Sequence, residues 1–265
     1  MRKTTILDIK DMKRQRRKIA VLTAYDYTMA KILDSAGAPI LLVGDSLGMV
    51  SAGYESTLPV TIDEMIYHTR AVARGSKNAL IVVDMPFLSY QISIEEAKRN
   101  AGRLVKEGGA EAVKLEGGEN IADTIKAIND MGVPVMGHIG LMPQSVHKMG
   151  GYKVQGRTKK ERQQIMKDAK AVEKAGAFSI LLEGIPSGLA KKITESVSIP
   201  TIGIGAGLHC DGQVLVLHDM LGLYKDISPR FVKKYLDLNS MITNAVKDYI
   251  KDVEMKRFPE KKHSF

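Results

Sequence analysis

The sequence predicts a (β/α)₈ barrel, and three observations carry that prediction. Eight short apolar runs alternate with amphipathic stretches between residues 19 and 219. The runs are apolar throughout instead of at every second residue, as in parallel strands covered on both faces. The first run leads into AYDYTMAK, whereas an open doubly wound sheet places a phosphate loop there. Eight β/α alternations in a chain of 265 residues suit one barrel.

Taken in order, residues 1–18 (MRKTTILDIKDMKRQRRK) are expected to form a short helix at the barrel's N-terminal side. The strands are IAVLTA (19–24), PILLVG (39–44), ALIVVDM (79–85), EAVKLE (111–116), VPVMGHI (133–139), FSILLE (178–183), PTIGIG (200–205) and QVLVLHD (213–219). Helices fall between them at TIDEMIYHTRAVARG, SIEEAKRNAGRLVKEG, NIADTIKAINDMG and TKKERQQIMKDAKAVEKAG. Several open on Ser, Thr or Asn and close on Gly, as capped helices do. TIDE and SIEE read as capping boxes, with an acid three residues after the hydroxyl. Residues 230–252 should make a last long helix, and 253–265 a loose tail. No linker rich in Pro, Gly or Ser interrupts the chain, so residues 1–265 read as a single domain.

Composition narrows the function. At 44% hydrophobic and 26% charged, the chain reads as globular and not disordered. Its net charge is +9, but the excess sits at the ends. Residues 1–18 carry +6 and residues 247–265 carry +2, leaving +1 for the whole body. With five Phe, no Trp and no interleaving of basic and aromatic residues, nucleic acid is not an expected partner. No stretch approaches 18 uninterrupted apolar residues, so no membrane span is expected. The opening segment lacks the apolar core of a secretory leader. The single Cys210 excludes an intrachain disulfide and fits a reducing compartment, so a cytoplasmic location is expected.

Four of the apolar runs stop on a carboxylate: Asp45 in LLVGDS, Asp84 in LIVVDMP, Glu116 in AVKLEGG and Glu183 in SILLEGIP. Acids are costly at strand ends inside a fold unless something pairs with them. In a barrel the C-terminal strand ends form the active site, so four acids there point to one shared site. Two Asp and one Glu offer the hard oxygen ligands that Mg²⁺ prefers, leaving a fourth carboxylate to move protons. Lys114 lies two residues before Glu116, and period-two alternation points both inward. It serves either the site or a structural ion network. Ser46 is either a turn cap or a ligand for a substrate carboxylate. His138, at the end of the fifth run, is a structural residue unless the neighbouring acids and lysine make it a proton partner. GIGAG (203–207) reads either as a phosphate cradle or as close packing. His209 and Cys210 lack a second ligand pair for zinc.

Over nearly its whole length the chain resembles the ketopantoate hydroxymethyltransferase family. The residues that carry this are VLTAYDYTMAKI, LLVGDSLGMV, STLPVTIDEMIYHTRAV, VVDMPF, AVKLEGG, PVMGHIGLMPQSV and TIGIGAGLHCDGQVLVLHDMLGL, with the loop MGGYKVQGRT. The resemblance implies transfer of a hydroxymethyl group from 5,10-methylenetetrahydrofolate to 3-methyl-2-oxobutanoate. The product is 2-dehydropantoate, on the way to pantothenate and coenzyme A, and the route is a Mg²⁺-stabilised enolate. It implies one Mg²⁺ per subunit on Asp45, Asp84 and Glu116, with Glu116 reaching the ion directly or through a water. It places the oxo acid on Asp45, Ser46, Asp84 and Lys114, and the proton acceptor on Glu183. It also implies a homodecamer. A related Mg²⁺-dependent carbon–carbon lyase on the same barrel is the alternative. That reading expects a reactive Cys after the fourth strand, where this chain has EGGENI. A non-catalytic binding barrel would be missing a ligand or a base, and here each position is filled.

Overall fold

The computed structural model describes residues 2–226 and 229–265. Met1, part of the N-terminal extension expected from the sequence, lies outside the described residues. The chain divides into two compact units, Met1–Val216 and Leu217–Phe265.

The first unit holds the barrel. Helix α1 (Ile6–Arg14) leads into β1 (Ile19–Thr23), α2 (Tyr27–Ser35) and β2 (Ile40–Val43). A single turn, α3 (Leu47–Val50), precedes α4 (Ile62–Gly75), β3 (Leu80–Asp84), α5 (Ile94–Lys106) and β4 (Ala112–Glu116). Then come α6 (Ala122–Asp130), β5 (Val135–Gly140), the short α7 (Val146–Met149), α8 (Lys159–Lys174) and β6 (Ser179–Glu183). Helix α9 (Ser187–Ser196), β7 (Thr201–Ile204) and β8 (Gly212–Leu215) complete the unit. All eight strands are parallel, and β8 pairs with β1 to close the barrel in sequence order.

The β/α alternation is expected to run through all eight units, but residues 205–211 join β7 to β8 with no helix. This return segment hugs the strand it leaves. A Cβ on Gly203 would fall 2.9 Å from Cys210 Sγ, and one on Gly207 would fall 2.2 Å from Ser187 Oγ. Close packing therefore explains Gly203 and Gly207, while Gly205 adopts a left-handed backbone with φ 61°. The eighth run is shorter than expected, since Leu217–Met220 form a helical turn.

The N-terminal extension folds as expected, with its helix against the barrel's N-terminal end. Thr5 and Asp8 cap it reciprocally, and Ile9 is buried in one cluster with Ile19, Val21, Ile40, Leu42, Leu80 and Val82. Thr61 and Glu64 form the full box expected for TIDE. At SIEE only half forms: Ser93 accepts from the Glu96 N–H, and no return bond is made. Asn120 does not cap α6; it accepts from Gly118 N ahead of a 3₁₀ turn, Glu119–Ile121. A complete box of this kind stabilises a helix by about 1 kcal/mol.

Inward-facing residues form layers. Val82 pairs with Ala112, Asp84 with Lys114, and Glu116 with His138. In β3 to β5 the inward positions change from apolar at Val82, Ala112 and Met136 to polar at Asp84, Lys114 with Glu116, and His138. The apolar plug below, with Met136, Phe178, Leu181 and Ile202, forms the floor of a polar chamber.

The second unit is helical. It opens on the turn α10 (Leu217–Met220), and its main element is α11 (Leu238–Glu254). This helix starts eight residues later than residue 230, because Asp237 supplies its cap through bonds from Ser240 N and Oγ. The segment before it turns instead, with Val232 N bonded to Pro229 O and Tyr235 N to Met220 O. In the tail expected to be loose, Phe258 lies edge-on to Tyr249 and Lys261–His263 makes a 3₁₀ turn. Among the described residues no helix is long and apolar enough to cross a membrane.

Candidate active site

The chamber gathers every site residue named from the sequence except Ser46, which sits at its edge. Asp84, Lys114, Glu116, His138 and Glu183 come from the inward parity of β3 to β6. Asp45 arrives differently. It lies just past β2, and its backbone N–H donates to Asp84 Oδ2 at 3.0 Å. Gly44 permits this approach, since a Cβ there would lie 2.8 Å from Ser46 Oγ and 3.6 Å from Asp84 Oδ2.

Lys114 is the hub. Its Nζ lies 3.1 Å from Asp84 Oδ1 and 3.0 Å from His138 Nδ1, with both charged side chains about 5% exposed or less. Asp84 Oδ1 has no partner in hydrogen-bond geometry, so its tie to Lys114 is charge on charge. Burial works against the Lys114 ammonium, but Asp84, Glu116 and Asp45 outweigh it and raise its pKa. Lys114 therefore carries its charge at any working pH.

His138 is the opposite case. Burial and the Lys114 charge hold its pKa far below the usual imidazole value, so the ring is neutral. An ammonium can only donate, so Nδ1 accepts from Lys114 and the ring proton resides on Nε2. Nε2 lies 3.2 Å from Glu183 Oε2 but outside hydrogen-bond geometry, while Nδ1 lies 3.6 Å from Glu116 Oε1. These are contacts of a neutral ring, not ion pairs. Lys114, His138 and Glu183 thus stand in line as a fixed cation, a neutral imidazole and a carboxylate, with a hydrogen bond between the first two alone.

The acids are crowded. Burial, then the neighbouring Asp84, push Asp45 up to about 7. Burial raises Glu116 well above the carboxylate range, with Asp45, Glu183 and Asp84 adding to the effect against Lys114. Burial lifts Glu183 to about 7, opposed by Lys114. Glu183 keeps 16% of its side chain exposed, against 3% for Glu116, so it is the carboxylate open to an arriving molecule.

Ser46 occupies the cap position of α3 but caps nothing, so the capping alternative falls. Its Oγ instead pairs with Tyr25 Oη at 2.9 Å. Tyr25 is itself anchored, its carbonyl bonded to His68 Nδ1 at 2.7 Å.

Reading the sequence for acids at strand ends missed Tyr25, Tyr90 and Gln144. Tyr25 follows β1 by two residues, so inspecting hydroxyls at strand ends as well would have found it. Tyr90 and Gln144 sit deep in loops and are buried with the carboxylates. Tyr90 Oη accepts from Glu116 N at 3.1 Å and contacts Gln144 Oε1 at 2.8 Å. Gln144 Nε2 donates to Asp45 Oδ2 at 2.8 Å.

Four carboxylates face one lysine here, which leaves excess negative charge in a buried chamber. Among the described residues no three His, Cys, Asp or Glu converge closely enough to cage a metal unaided. A Mg²⁺ site does not need that, because the ion keeps waters and takes one or two carboxylates plus substrate oxygens. Asp45 and Asp84 fit this use. They are adjacent, Asp84 raises the cost of charging Asp45, and Asp84 Oδ1 lacks a hydrogen bond.

Residues 3–261 match the model of the ketopantoate hydroxymethyltransferase family. A relative from Geobacter metallireducens, named 3-methyl-2-oxobutanoate hydroxymethyltransferase, is 62% identical over 264 residues, covering 100% of this chain and 99% of its own. One of the same name from Clostridium beijerinckii is 59% identical, covering 99% and 96%. Among solved structures, phosphonopyruvate hydrolase in complex with oxalate and Mg²⁺ aligns with a TM-score of 0.64 at 12% identity, over 99% of this chain and 93% of that one. A 2,3-dimethylmalate lyase of the phosphoenolpyruvate mutase/isocitrate lyase superfamily aligns at 0.62 and 14%, over 98% and 92%. These last two share the fold.

Proposed function

The chain belongs to the ketopantoate hydroxymethyltransferase family, and from that premise we propose how its chamber works as a Mg²⁺- and folate-dependent site. The activity is hydroxymethyl transfer to 3-methyl-2-oxobutanoate, a step of pantothenate biosynthesis. The donor in this reading is 5,10-methylenetetrahydrofolate and the product 2-dehydropantoate. The observation that carries the site assignment is the buried group of Asp84, Lys114 and His138 beside Glu183, which is held at about 7 at the open side.

The reaction requires a carbanion at C3 of a 2-oxo acid. Asp45 and Asp84 would hold Mg²⁺, with Glu116 close behind. When bound, the ion supplies Lewis-acid stabilisation for charge developing on the 2-oxo group. Lys114 adds a fixed positive charge at the same place, in a site that excludes water. Ser46, turned by Tyr25 and free of capping duty, binds the substrate carboxylate. Glu183 takes the C3 proton. A carboxylate with a pKa near 7 is half ionised at neutral pH and basic enough to accept it. His138 Nε2 lies 3.2 Å from Glu183 Oε2, and the ring stays neutral throughout. The methylene carbon, bridged between two folate nitrogens, gives up both C–N bonds for one bond to C3 and one to a water oxygen, and the two nitrogens take up the proton removed from C3 and one proton of the water.

The apolar floor and the buried acids suit a small oxo acid and not a polymer. Location in the cytoplasm and assembly as a homodecamer complete the proposal, on the strength of the family.

Proton NMR of 3-methyl-2-oxobutanoate in D₂O, with and without Mg²⁺, tests it. The C3 proton signal should disappear only with enzyme and metal, and a hydroxymethyl product should form once methylenetetrahydrofolate is added. Exchange without transfer would assign the chamber to an enolising enzyme with another electrophile. Neither event in a folded, metal-loaded sample would overturn the roles given to these carboxylates.

A further inference from the structure

We infer that Gln144 is a positioning residue that sets the orientation of the metal-binding carboxylates, with Tyr90 fixing Gln144 in turn. The inference rests on the Mg²⁺ reading of Asp45, Asp84 and Glu116 given above.

Gln144 lies in the 3₁₀ turn Pro143–Ser145 after β5 and is 5% exposed. From there it reaches the loops after three other strands. Its backbone N–H donates to Glu116 Oε2 at 3.0 Å. Its Nε2 donates to Asp45 Oδ2 at 2.8 Å and to the Met85 carbonyl at 2.9 Å. Its Oε1 accepts from Tyr90 Oη at 2.8 Å and lies 3.4 Å from Gln91 Nε2. One residue therefore ties the ends of β2, β3 and β4 to the end of β5.

The amide cannot be turned over. On one side stand the Asp45 carboxyl and the Met85 carbonyl; the carbonyl can only accept, so flipping would set Oε1 against it. On the other side Tyr90 Oη already accepts from Glu116 N, so its single proton is left to donate toward Gln144 Oε1 or the Glu116 carbonyl. The Met85 carbonyl fixes the sense of the amide, and each donor of Gln144 is used. No donor remains for substrate, so Gln144 acts through Asp45 and Glu116 and not on the reacting atoms.

The consequence is specific. Gln144 occupies Oδ2 of Asp45, which leaves Oδ1 as the oxygen available to a cation. Through the backbone N–H it likewise engages Oε2 of Glu116, and Oε1 faces His138. Two crowded carboxylates, each prone to take a proton or swing, are held with one oxygen committed and one presented. Partners behind metal ligands typically change metal affinity by 10–100-fold when removed.

The test is Mn²⁺ binding to metal-free protein, followed by the EPR signal of the free ion, for wild type, Gln144→Met and Tyr90→Phe. Gln144→Met keeps the side-chain length and the backbone bond to Glu116 but loses both donors. It should bind Mn²⁺ about 10–100-fold more weakly. Tyr90→Phe should shift binding in the same direction by a smaller factor. At saturating metal, Gln144→Met should recover kcat to within several-fold of wild type, which a substrate-binding or acid–base role would not allow. Unchanged Mn²⁺ affinity in folded Gln144→Met overturns the inference while leaving the metal site standing. No Mn²⁺ uptake by wild type overturns the metal reading itself, and the inference with it. If Gln144→Met does not fold, Tyr90→Phe decides by the same criterion.

Discussion

The two ends of the barrel both bury charge, and they treat it in opposite ways. At the N-terminal end Asp34 is 5% exposed and accepts from Ser76 Oγ, the N–H groups of Asn78 and Ala79, and Asn78 Nδ2. Burial alone would raise its pKa, yet these donors hold it well below the usual carboxylate range. Nearby, Lys13 Nζ spends its three protons on Thr194 O, Ile199 O and Asp211 Oδ2. Asp211 also accepts from Thr201 N and Oγ1. These three charges are saturated. At the C-terminal end four acids share one lysine, and Asp45, Glu116 and Glu183 are all pushed upward. Saturated charge stabilises a fold; unsaturated charge is held in readiness for a ligand or a proton. The same barrel does the first where the chain is joined together and the second where loops admit substrate.

The sharpest way to break this contrast is at Lys114, the one full positive charge in the chamber. Lys114→Met should lower kcat by roughly 10³-fold, as loss of a buried charge stabiliser does. Steady-state kinetics at saturating Mg²⁺ measure it. Retention of kcat within tenfold would make Lys114 a structural counter-ion like Lys13. Glu183→Gln should come next, with C3 proton exchange slowed about 10²–10⁴-fold, the range for a positioned base. Binding of the oxo acid should change little, and the rise of rate with pH through about 7 should vanish. A variant that loses binding instead would make Glu183 a holder of substrate.

At the other end the expectation reverses. Asp34→Ala strands several buried donors and should cost about 1–3 kcal/mol of stability for each one left unpaired. Urea unfolding would show this, while kcat per folded molecule stays at the wild-type value. A loss of activity in folded Asp34→Ala would mean that the two ends are coupled.

Proton linkage separates the ends without mutation. Asp34 has a lowered folded pKa, so its contribution is present above the unfolded value and disappears as pH falls below it. Asp45 and Glu183 have raised folded values of about 7, so between about 4 and 7 the folded protein binds more protons than the unfolded chain. Stability therefore declines across that window as pH rises. Metal-free protein should melt at lower temperature at pH 7.5 than at pH 5.5, and Mg²⁺ should reverse most of that decline. A melting temperature that rises over the same interval would contradict the raised values.

How far the sequence revealed these two ends follows from the same physics. Strands are apolar runs, so all eight were legible, and an acid closing such a run is conspicuous because burial opposes it. Parity then placed Lys114 and Glu116 inside together. The missing helix between β7 and β8 was not legible, since GIGAGLHCD signals a turn without saying how tightly it packs. Nor was the late start of α11, where Asp237 rather than residue 230 provides the cap. Gln144 and Tyr90 were invisible for a different reason. They lie in loops, carry no period, and matter only through what three separate strand ends bring against them. Asp34 looked like any helical acid, and only its partners at residues 76–79 make it structural.

The smallest effect expected at the mouth tests whether its hydroxyl pair serves substrate. The Tyr25 Oη and Ser46 Oγ pair has no capping task, and Ser46 is the group proposed to hold the substrate carboxylate. Tyr25→Phe removes the partner that orients Ser46 but leaves both the serine and the packed ring in place. The loss of one such hydrogen bond, about 1 kcal/mol, corresponds to a rise of roughly 3–10-fold in KM for the oxo acid. It should leave kcat nearly unchanged, because the pair is set apart from Lys114, His138 and Glu183. Ser46→Ala should raise KM further in the same direction. If Tyr25→Phe lowers kcat with KM constant, the hydroxyl pair contributes in the transition state, and the mouth's readiness extends from its charges to its neutral groups.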